Sequence, residues 1–355
     1  MSESANYEDV LFEVTGITGT ITLNRPKALN ALNHEMALAI TARLADWAEN
    51  DGIQQIIIQA SGEKAFCAGG DVRWLYEKGK ANDRDFLKFY HDEYQLNTMI
   101  KRYPKPYIAL VDGIVMGGGV GVSVHGSHRF MTEFTTFAMP ETGIGLFPDV
   151  GGTYFLPRCP GEIGMYLGLT GARLKAADAL YAGIATHFVP RDRLADLRET
   201  LATESIDHMP ADFAETPDPG QLEGLHEWID TTFNGSSVEE IVDNLQGLDG
   251  EAGEWGRKTA SILATKSPTS MKITFRQIRE GAKLDFEDCM AIEYRMVNRI
   301  FTAPDFFEGT RAVIVDKDNS PSWQPTSLAN VSEALVDEFF ADLGNEELKL
   351  PIPAH

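Results

Sequence analysis

Strand-like runs alternate with glycine-rich turns and helical segments along the first half of the chain, and this order limits the folds that the chain can adopt. Strand-type runs occupy residues 53–60, 107–111 and 129–139. Residues 10–23 contain two β-rich runs broken by glycine, which predict a hairpin, and apolar positions at helical spacing predict a helix over 33–49. Because parallel strands need crossover connections between them, the alternation predicts a layered α/β fold rather than a sandwich or a helix bundle.

Composition divides the chain into three parts. We predict that residues 1–189 form the core that carries the active site. Residues 190–253 are acidic and are interrupted by proline and glycine, so we predict a helical insertion or linker over 190–255. Helical spacing of the apolar residues returns after that point, which predicts a helical C-terminal region over 256–355 that ends in a docked tail.

Charge and cysteine content argue against several classes of partner and site. The 355 residues include 31 Lys and Arg against 53 Asp and Glu, a formal charge of -22, so the surface is a poor partner for nucleic acid or an anionic membrane. Cys67, Cys159 and Cys289 are too few and too irregularly spaced for a disulfide framework or a metal cluster. Residues 1–10 lack the character of a signal or transit peptide, and no segment reaches membrane-spanning length, so we predict a cytoplasmic protein.

Two glycine-rich turns are candidates for binding a developing negative charge. Gly117, Gly118 and Gly119 precede an apolar run, and the N–H of Gly118 at a helix start would point at an oxyanion. The N–H of Gly70 is the candidate second donor. The competing interpretation is that the glycine tripeptide only permits close packing of a strand against a helix. The dinucleotide-binding pattern fails because valine stands at its third small position, and the phosphate-loop pattern is absent too.

Two carboxyl groups follow the third strand-like run at a spacing of eight residues. Glu141 lies on an irregular segment after Pro140, where its side chain can enter a cleft, although a solvated loop glutamate is an equal alternative. Asp149 precedes a glycine pair, so a helix N-cap is an alternative to a catalytic role. Residues 144–147 between them are mostly apolar and would desolvate a carboxyl group, which raises its pKa. We therefore predict nucleophilic or acid/base chemistry at Glu141 and Asp149.

These stretches are similar to the crotonase (enoyl-CoA hydratase/isomerase) superfamily, and in detail to its 3-hydroxyisobutyryl-CoA hydrolase branch. The resemblance runs nearly end to end and covers residues 21–32, 64–71, 105–126, 139–152, 169–189, 267–274 and 305–323. It implies a crotonase-like α/β fold of repeated β-β-α units that form a layered sheet core, with a helical C-terminal region. It also implies hydrolysis of a short 3-hydroxyacyl-CoA thioester, in which CoA is part of the substrate and no metal or other cofactor takes part.

The resemblance assigns roles to individual residues. Gly70 and Gly118 match the oxyanion donors, and Glu141 matches the residue that attacks the carbonyl or activates water as a base. Asp149 is implied to orient Glu141, the water or the substrate hydroxyl. Glu93 matches an acidic residue that contacts the substrate, where it would accept a hydrogen bond from the hydroxyl of a short acyl group. Substrate binding is therefore implied for Glu93, Gly118, Glu141 and Asp149.

The turn that contains Ala68, Gly69 and Asp71 matches the CoA pocket of the family. Against the acidic background, Lys27 is the candidate for contact with the CoA phosphates, and Lys317 is a second candidate. A homo-oligomer based on a trimer is also implied by the resemblance. No nucleic acid and no membrane is expected as a partner.

One position decides which reaction the resemblance implies. Hydratases of the family carry a second catalytic glutamate that matches position 121, where this chain has Gly121. Loss of that carboxylate disfavours addition of water to a double bond and favours thioester hydrolysis in valine breakdown. Two alternatives stay open, namely an enoyl-CoA hydratase or isomerase with the same fold, and a non-catalytic acyl-CoA binding protein that needs neither Glu141 nor Asp149.

Overall fold

The structure of the chain, a computed structural model, describes residues 8–81, 83–84, 86–208 and 213–350. Within these residues the strands are β1 (Val10–Thr15), β2 (Thr18–Leu23), β3 (Gln55–Ala60), β4 (Ala65–Cys67), β5 (Tyr107–Val111), β6 (Ile114–Met116), β7 (His128–Met131), β8 (Thr136–Ala138) and β9 (His187–Phe188). The helices are α1 (His34–Ala48), α2 (Val72–Lys80), α3 (Phe86–Lys101), α4 (Gly118–Gly121), α5 (Gly152–Phe155), α6 (Ile163–Thr170), α7 (Ala176–Tyr181), α8 (Leu194–Thr203), α9 (Leu222–Phe233), α10 (Val238–Gln246), α11 (Gly250–Leu263), α12 (Pro268–Gly281), α13 (Phe286–Ile300), α14 (Pro304–Thr310) and α15 (Glu333–Phe340). A π-helical turn, Arg311–Val315, continues α14.

The strands form two sheets, and their alternation builds the repeated unit of the fold. The larger sheet has the order β1-β2-β3-β5-β7-β9, and the smaller sheet has the order β4-β6-β8. Strands β1 and β2 pair antiparallel, whereas the other neighbours pair parallel. Each of β3, β5 and β7 is followed by a strand of the smaller sheet, after which the chain returns to the larger sheet through helical segments. The predicted layered α/β architecture of β-β-α units is therefore confirmed.

Local sequence explains the first elements. Gly16 takes the left-handed conformation (φ 58°) in the tight turn between β1 and β2. The Asn33 side chain caps α1 by accepting a hydrogen bond from the N–H of Met36 at 2.8 Å. Strand β3 lies between β2 and β5, and its isoleucines are buried, as expected for a central parallel strand. The hairpin, the first helix and the first central strand thus form where the sequence predicts them.

Two predicted elements differ from the structure. The run predicted as one strand over 129–139 is two strands, β7 and β8, separated by a turn in which the Thr135 hydroxyl donates to the Val111 carbonyl at 2.8 Å. The helix predicted after the glycine tripeptide is only the single turn α4. Glycine has a low helix propensity, and a Cβ on Gly119 would overlap the Cys67 carbonyl, so this segment is shaped by close packing. A helix of one turn adds little dipole at Gly118.

Helices dominate the second half of the chain. One large hydrophobic core includes residues from Val10 to Leu348 and joins the sheets to these helices. A smaller core covers one face of the larger sheet, where Leu197 and Leu201 of α8 pack with Ile57. The sequence did not predict α15. The division of the chain at residues 189 and 255 stays a prediction.

None of the helices in the described ranges combines the length and apolarity needed to cross a bilayer.

Candidate active site

The two glycine turns singled out in the sequence lie side by side in the structure. Strands β4 and β6 are parallel neighbours in the smaller sheet, and each ends directly before one of the turns. A methyl group added to Gly118 would lie 3.3 Å from the Gly70 nitrogen, and one added to Gly117 would lie 3.4 Å from the Gly69 Cα. Gly69 (φ 115°) and Gly117 (φ 45°) take backbone conformations that favour glycine. The parallel pairing therefore brings two backbone N–H groups to one place.

Hydrogen bonds to Leu32 hold the turn after β4 but do not use the N–H of Gly70. The Gly69 carbonyl accepts from the N–H of Leu32 at 2.8 Å, and the N–H of Asp71 donates to the Leu32 carbonyl at 3.0 Å. Among the turns, loops and caps of the described residues, neither the Gly70 N–H nor the Gly118 N–H donates to a backbone carbonyl. Two unpaired N–H groups at one place are an arrangement that stabilises a developing oxyanion.

Two carboxyl groups from separate elements reach the same turns. Glu93 lies on α3, and its Oε1 is 2.6 Å from the position of a Cβ on Gly118. Glu141 lies in a short 3₁₀ turn after β8, and its Oε1 is 3.4 Å from the position of a Cβ on Gly117. Both side chains are buried, and among the described residues neither Glu93 Oε1 nor Glu141 Oε2 has a hydrogen-bond partner. Buried polar atoms without partners are costly, so they indicate a place where a ligand binds.

Burial changes the proton affinity of this carboxyl cluster. Burial and the nearby charge of Asp149 raise the pKa of Glu93 and of Glu141 well above the usual range, and the Lys266 ammonium offsets part of the effect on Glu141. Burial also raises the pKa of Asp149 to about 7, although the Tyr94 hydroxyl favours the ionised form by donating to Asp149 Oδ2 at 3.1 Å. A group whose pKa lies near the working pH is the most effective general acid or base.

A cavity of about 810 Å³ extends from the carboxyl cluster. This volume lies within the range of roughly 300–1,000 Å³ that is typical of small-molecule sites. Residues predicted from the sequence line it at seven positions: Ala68, Gly69, Gly70, Glu93, Gly118, Glu141 and Asp149. Ile314 and Trp323 complete part of the wall, so the C-terminal region contributes to the site.

Three residues assigned to CoA binding lie outside this lining. The Asp71 carboxylate caps α2 by accepting from the N–H of Trp74 at 3.3 Å, and it lies 3.4 Å from an Arg25 nitrogen. Lys27 and Lys317 are exposed to solvent. Their contacts with CoA stay predictions, as do those of Ala68 and Gly69 inside the cavity.

Sequence reasoning missed the basic groups of the cavity, Arg173 and Lys266. Lys266 is half-buried, and its Nζ lies 3.5 Å from the position of a Cβ on Gly143, close to Glu141 in the chain. Arg173 lies within the stretch 169–189 that resembles the family, but no chemical motif marks it or Lys266, because each reaches the cavity from a segment remote from the glycine turns. In the part of the chain that the structure describes, no group of three or more His, Cys, Asp and Glu side chains has the arrangement of a metal site.

Two fully buried polar residues behind the carboxyl cluster were also missed. Asn97 lies one turn after Glu93 on α3, and Glu293 lies on α13. Glu293 stands between Met290 and Val297, three and four residues away, on the apolar face of its helix. A single acidic residue on such a face is the sequence signal that identifies it, because unpaired carboxyl groups are rarely buried.

The surroundings of Gly121 decide whether a second catalytic glutamate fits. A Cβ added to Gly121 would lie 2.8 Å from Asn97 Nδ2 and 2.8 Å from Val150 Cβ. Both distances are shorter than van der Waals contact, so Asn97 and Val150 occupy the space that a larger side chain needs. The departure from the hydratase pattern seen in the sequence is therefore built into the packing.

A family model described as enoyl-CoA hydratase/isomerase matches residues 18–340 of the chain. The chain belongs to this family, the crotonase family. The mitochondrial 3-hydroxyisobutyryl-CoA hydrolase of Danio rerio is 49% identical to it, over 99% of this chain and 94% of the relative. The hydrolase of the same name from Homo sapiens is 44% identical, over 96% of this chain and 91% of the relative.

Two solved structures share the fold over nearly the whole chain. A carnitinyl-CoA dehydratase from Mycobacterium thermoresistibile superposes with a TM-score of 0.92 at 42% identity, over 96% of this chain and 98% of its own. An enoyl-CoA hydratase from Rhodobacter sphaeroides 2.4.1 superposes with a TM-score of 0.90 at 38% identity, over 96% of this chain and 100% of its own. The predicted crotonase-like fold is confirmed.

The prediction of a cytoplasmic protein is wrong, because both hydrolase relatives are named as mitochondrial. That prediction depended on the character of residues 1–10. Targeting segments are removed from mature proteins, so the composition of a chain's first residues does not report the compartment in which it works. An acyl-CoA substrate is consistent with the family, whereas the number of subunits stays a prediction.

Proposed function

We propose that this protein hydrolyses 3-hydroxyisobutyryl-CoA to 3-hydroxyisobutyrate and CoA, as a step in valine breakdown. The near full-length similarity to hydrolases of that name supports the substrate. One structural observation carries the proposal, namely that the N–H groups of Gly70 and Gly118 meet the buried carboxyl groups of Glu93 and Glu141 at one end of a cavity. A thioester carbonyl placed there has donors for its oxygen and a carboxylate beside its carbon.

The glycine turns polarise the carbonyl in this proposal. As the carbonyl carbon becomes tetrahedral, negative charge develops on its oxygen, and the N–H groups of Gly70 and Gly118 stabilise that charge. Each such donor is typically worth about 10²–10³ in kcat. Because both groups belong to turns fixed by the parallel strands β4 and β6, little reorganisation is needed when the charge develops.

Glu141 has two routes to the product. As a nucleophile, it forms an anhydride with the acyl carbon, the C–S bond breaks and the electron pair leaves with the CoA sulfur; water then opens the anhydride. As a base, it takes a proton from a water that attacks the acyl carbon directly, and that proton later reaches the CoA sulfur. Hydroxylamine trapping separates the routes, because it converts an anhydride at Glu141 into a hydroxamate that mass spectrometry detects.

Glu93 and Asp149 select and orient the substrate in this proposal. Glu93 Oε1 lies beside Gly118 without a hydrogen-bond partner among the described residues, so it offers an acceptor to the hydroxyl of a short 3-hydroxyacyl group. A substrate without that hydroxyl leaves the acceptor buried and unpaired, which gives discrimination. Asp149, whose pKa is raised to about 7, orients Glu141 or the water and can exchange a proton near neutral pH.

Hydration of an enoyl-CoA is the competing reaction, since the two solved structures above are named as a dehydratase and a hydratase. That reaction uses a second glutamate at position 121 in the family, and Asn97 and Val150 fill the corresponding space here. We therefore propose hydrolysis instead of hydration. We also propose that no metal or redox cofactor takes part, that Arg173 joins Lys27 in meeting the CoA phosphates, and that the protein forms trimer-based oligomers.

Replacement of Glu141 by Gln tests the proposal against both alternatives. We expect CoA release from 3-hydroxyisobutyryl-CoA to fall by about 10³-fold or more, since a group that acts directly on the reacting atoms is lost. Binding of the CoA ester, measured by calorimetry, is expected to survive. Glu223→Gln, the same change at an exposed glutamate on α9, is the matched control. Turnover of crotonyl-CoA without CoA release would instead favour a hydratase, and wild-type binding without turnover would favour a non-catalytic binding protein.

A further inference from the structure

Glu293 is a fully buried carboxyl group that the proposed mechanism does not use. It lies on α13, among the apolar side chains of that helix and about 140 residues after the turn that follows Asp149. Its Oε2 accepts a hydrogen bond from the N–H of Gly151 at 2.8 Å, and its Oε1 accepts one from the N–H of Thr153 at 2.9 Å. Both oxygens are therefore committed to the backbone that directly follows Asp149.

The backbone after Asp149 has a conformation that needs support. Val150 has φ 51° and Gly151 has φ 90°, so two successive residues lie in the left-handed region. A β-branched residue such as Val150 is a genuine outlier there and persists only where the surroundings hold it. A Cβ on Gly151 would overlap the ring of His125, so the turn has no room to relax in that direction. The conformation orients the N–H groups of Gly151 and Thr153 towards Glu293.

Side chains from three separate elements hold this turn. The His125 ring nitrogen donates to the Val150 carbonyl at 2.7 Å, and Gln277 Nε2 donates to Thr153 Oγ1 at 3.1 Å. Of the three, Glu293 is the one that carries a carboxyl group, and burial together with the charge of Asp149 raises its pKa to about 8. His125 stays neutral, because burial lowers its pKa to about 3.

We propose that Glu293 is a positioning residue for the reaction: by binding the N–H groups of Gly151 and Thr153, it holds the turn that directs the Asp149 carboxyl into the substrate cavity beside Tyr94. This inference rests on the proposed thioester hydrolysis, in which Asp149 acts at the reacting end of the substrate. Glu293 does not line the cavity itself, so its effect on turnover passes through Asp149.

Glu293 also affects the titration of the site. The groups that face it are Glu93 and Tyr94 from α3, Glu141 and Asp149 from the loops, and Cys289 from its own helix. All of them are acids, so each ionised neighbour raises the proton affinity of the others. At the pH where Asp149 titrates, about 7, Glu293 is still protonated because its own pKa is about 8, so replacement of Glu293 acts on Asp149 through its position. Displacement of Asp149 from the Tyr94 hydroxyl, which favours its ionised form, is expected to raise the pKa of Asp149 and to move the acidic limb of the kcat/KM profile to higher pH.

Glu293→Gln tests the inference, because the amide keeps the volume and one acceptor oxygen but places an NH₂ group against a backbone N–H. We expect kcat for 3-hydroxyisobutyryl-CoA to fall about 10- to 100-fold through misplacement of Asp149. KM is expected to stay within about threefold, since the residue does not touch the substrate. Glu287→Gln is the matched control, because Glu287 lies on the same helix but its carboxylate binds Arg102 at 2.7 Å, whereas that of Glu293 binds the N–H groups of Gly151 and Thr153.

A second variant keeps the test decisive if Glu293→Gln does not fold. Glu293→Asp retains the carboxyl group but is one methylene too short to reach both N–H groups, so we expect a loss of kcat and the same shift of the acidic limb to higher pH. Wild-type kcat with an unmoved pH profile in these variants would overturn the inference. Asp149→Asn separates this failure from that of the proposed function: if wild type hydrolyses the substrate and Asp149→Asn is impaired, the function stands whatever Glu293 does.

Discussion

A methyl group on Gly118 is expected to damage catalysis while leaving the fold intact. In Gly118→Ala the new Cβ would lie 2.6 Å from Glu93 Oε1, so the carboxylate must retreat by about 0.8 Å to reach ordinary contact. The same Cβ would lie 3.3 Å from the Gly70 nitrogen and thus beside the place where the oxyanion binds. One substitution therefore disturbs an oxyanion donor and the acceptor for the substrate hydroxyl.

The magnitude follows from these two distances. Misplacement of a reacting group by about 1 Å can cost 10²-fold, and loss of one oxyanion donor costs about 10²–10³ in kcat, which corresponds to about 2.7–4 kcal/mol. We expect kcat to fall by about that factor. Gly118 has no left-handed φ, so alanine gains about 0.4–1 kcal/mol from the unfolded state, which offsets part of the overpacking cost of about 1–3 kcal/mol. The free energy of unfolding is therefore expected to change by less than about 3 kcal/mol.

Release of CoA from 3-hydroxyisobutyryl-CoA, followed with a thiol reagent, measures the effect. The protein's own thiols, Cys67, Cys159 and Cys289, are buried and contribute little background in the folded state. Gly224→Ala is the matched control, since a Cβ at Gly224 on α9 has no atom within 4 Å. If kcat of Gly118→Ala stays within threefold of wild type while the variant is folded, the Gly118 N–H is not an oxyanion donor.

Further variants test the ionisation and packing of the site. Because the pKa of Asp149 is raised to about 7, kcat/KM is expected to increase as the pH rises through 7, and an unchanged acidic limb in Asp149→Asn would contradict this assignment. The folded state favours neutral Asp149, so this contribution to stability is present below the ordinary pKa of 3.8 and is lost as the pH rises to about 7. Asp149→Asn is therefore expected to raise the free energy of unfolding more at pH 8 than at pH 5, by at most about 3 kcal/mol, and an equal effect at both values would refute the reasoning. In Gly121→Glu the new side chain would overlap Asn97 and Val150, so the free energy of unfolding, measured in urea, is expected to fall by about 1–3 kcal/mol. A stable Gly121→Glu variant that hydrates crotonyl-CoA would contradict the packing argument.

The crotonase-like fold and the two glycine turns that line part of the cavity were predictable because their signals are local. The alternation of strand, glycine turn and helix predicts crossovers, and the carboxyl ends of parallel strands meet at one edge of a sheet. Gly70 lies three residues after the end of β4 and Gly118 two residues after the end of β6, so the pairing of these strands brings the two glycines close together. The extent of α4 was not predictable in the same way, because close packing of Gly119 against Cys67 overrides the helical pattern of the apolar residues around it.

The sequence by itself determined the family, the glycine turns and the two carboxyl groups at Glu141 and Asp149, because each of these depends on residues close together in the chain. Only the tertiary structure decided which side chains stand behind them. Lys266, in the connection between α11 and α12, and Glu293, on α13, each contact residues of the site that lie more than 100 positions earlier in the chain, and contacts over such separations leave no periodicity in the sequence. The proton affinities of Glu141 and Asp149 likewise follow from burial and mutual charge, which exist only once the chain has folded.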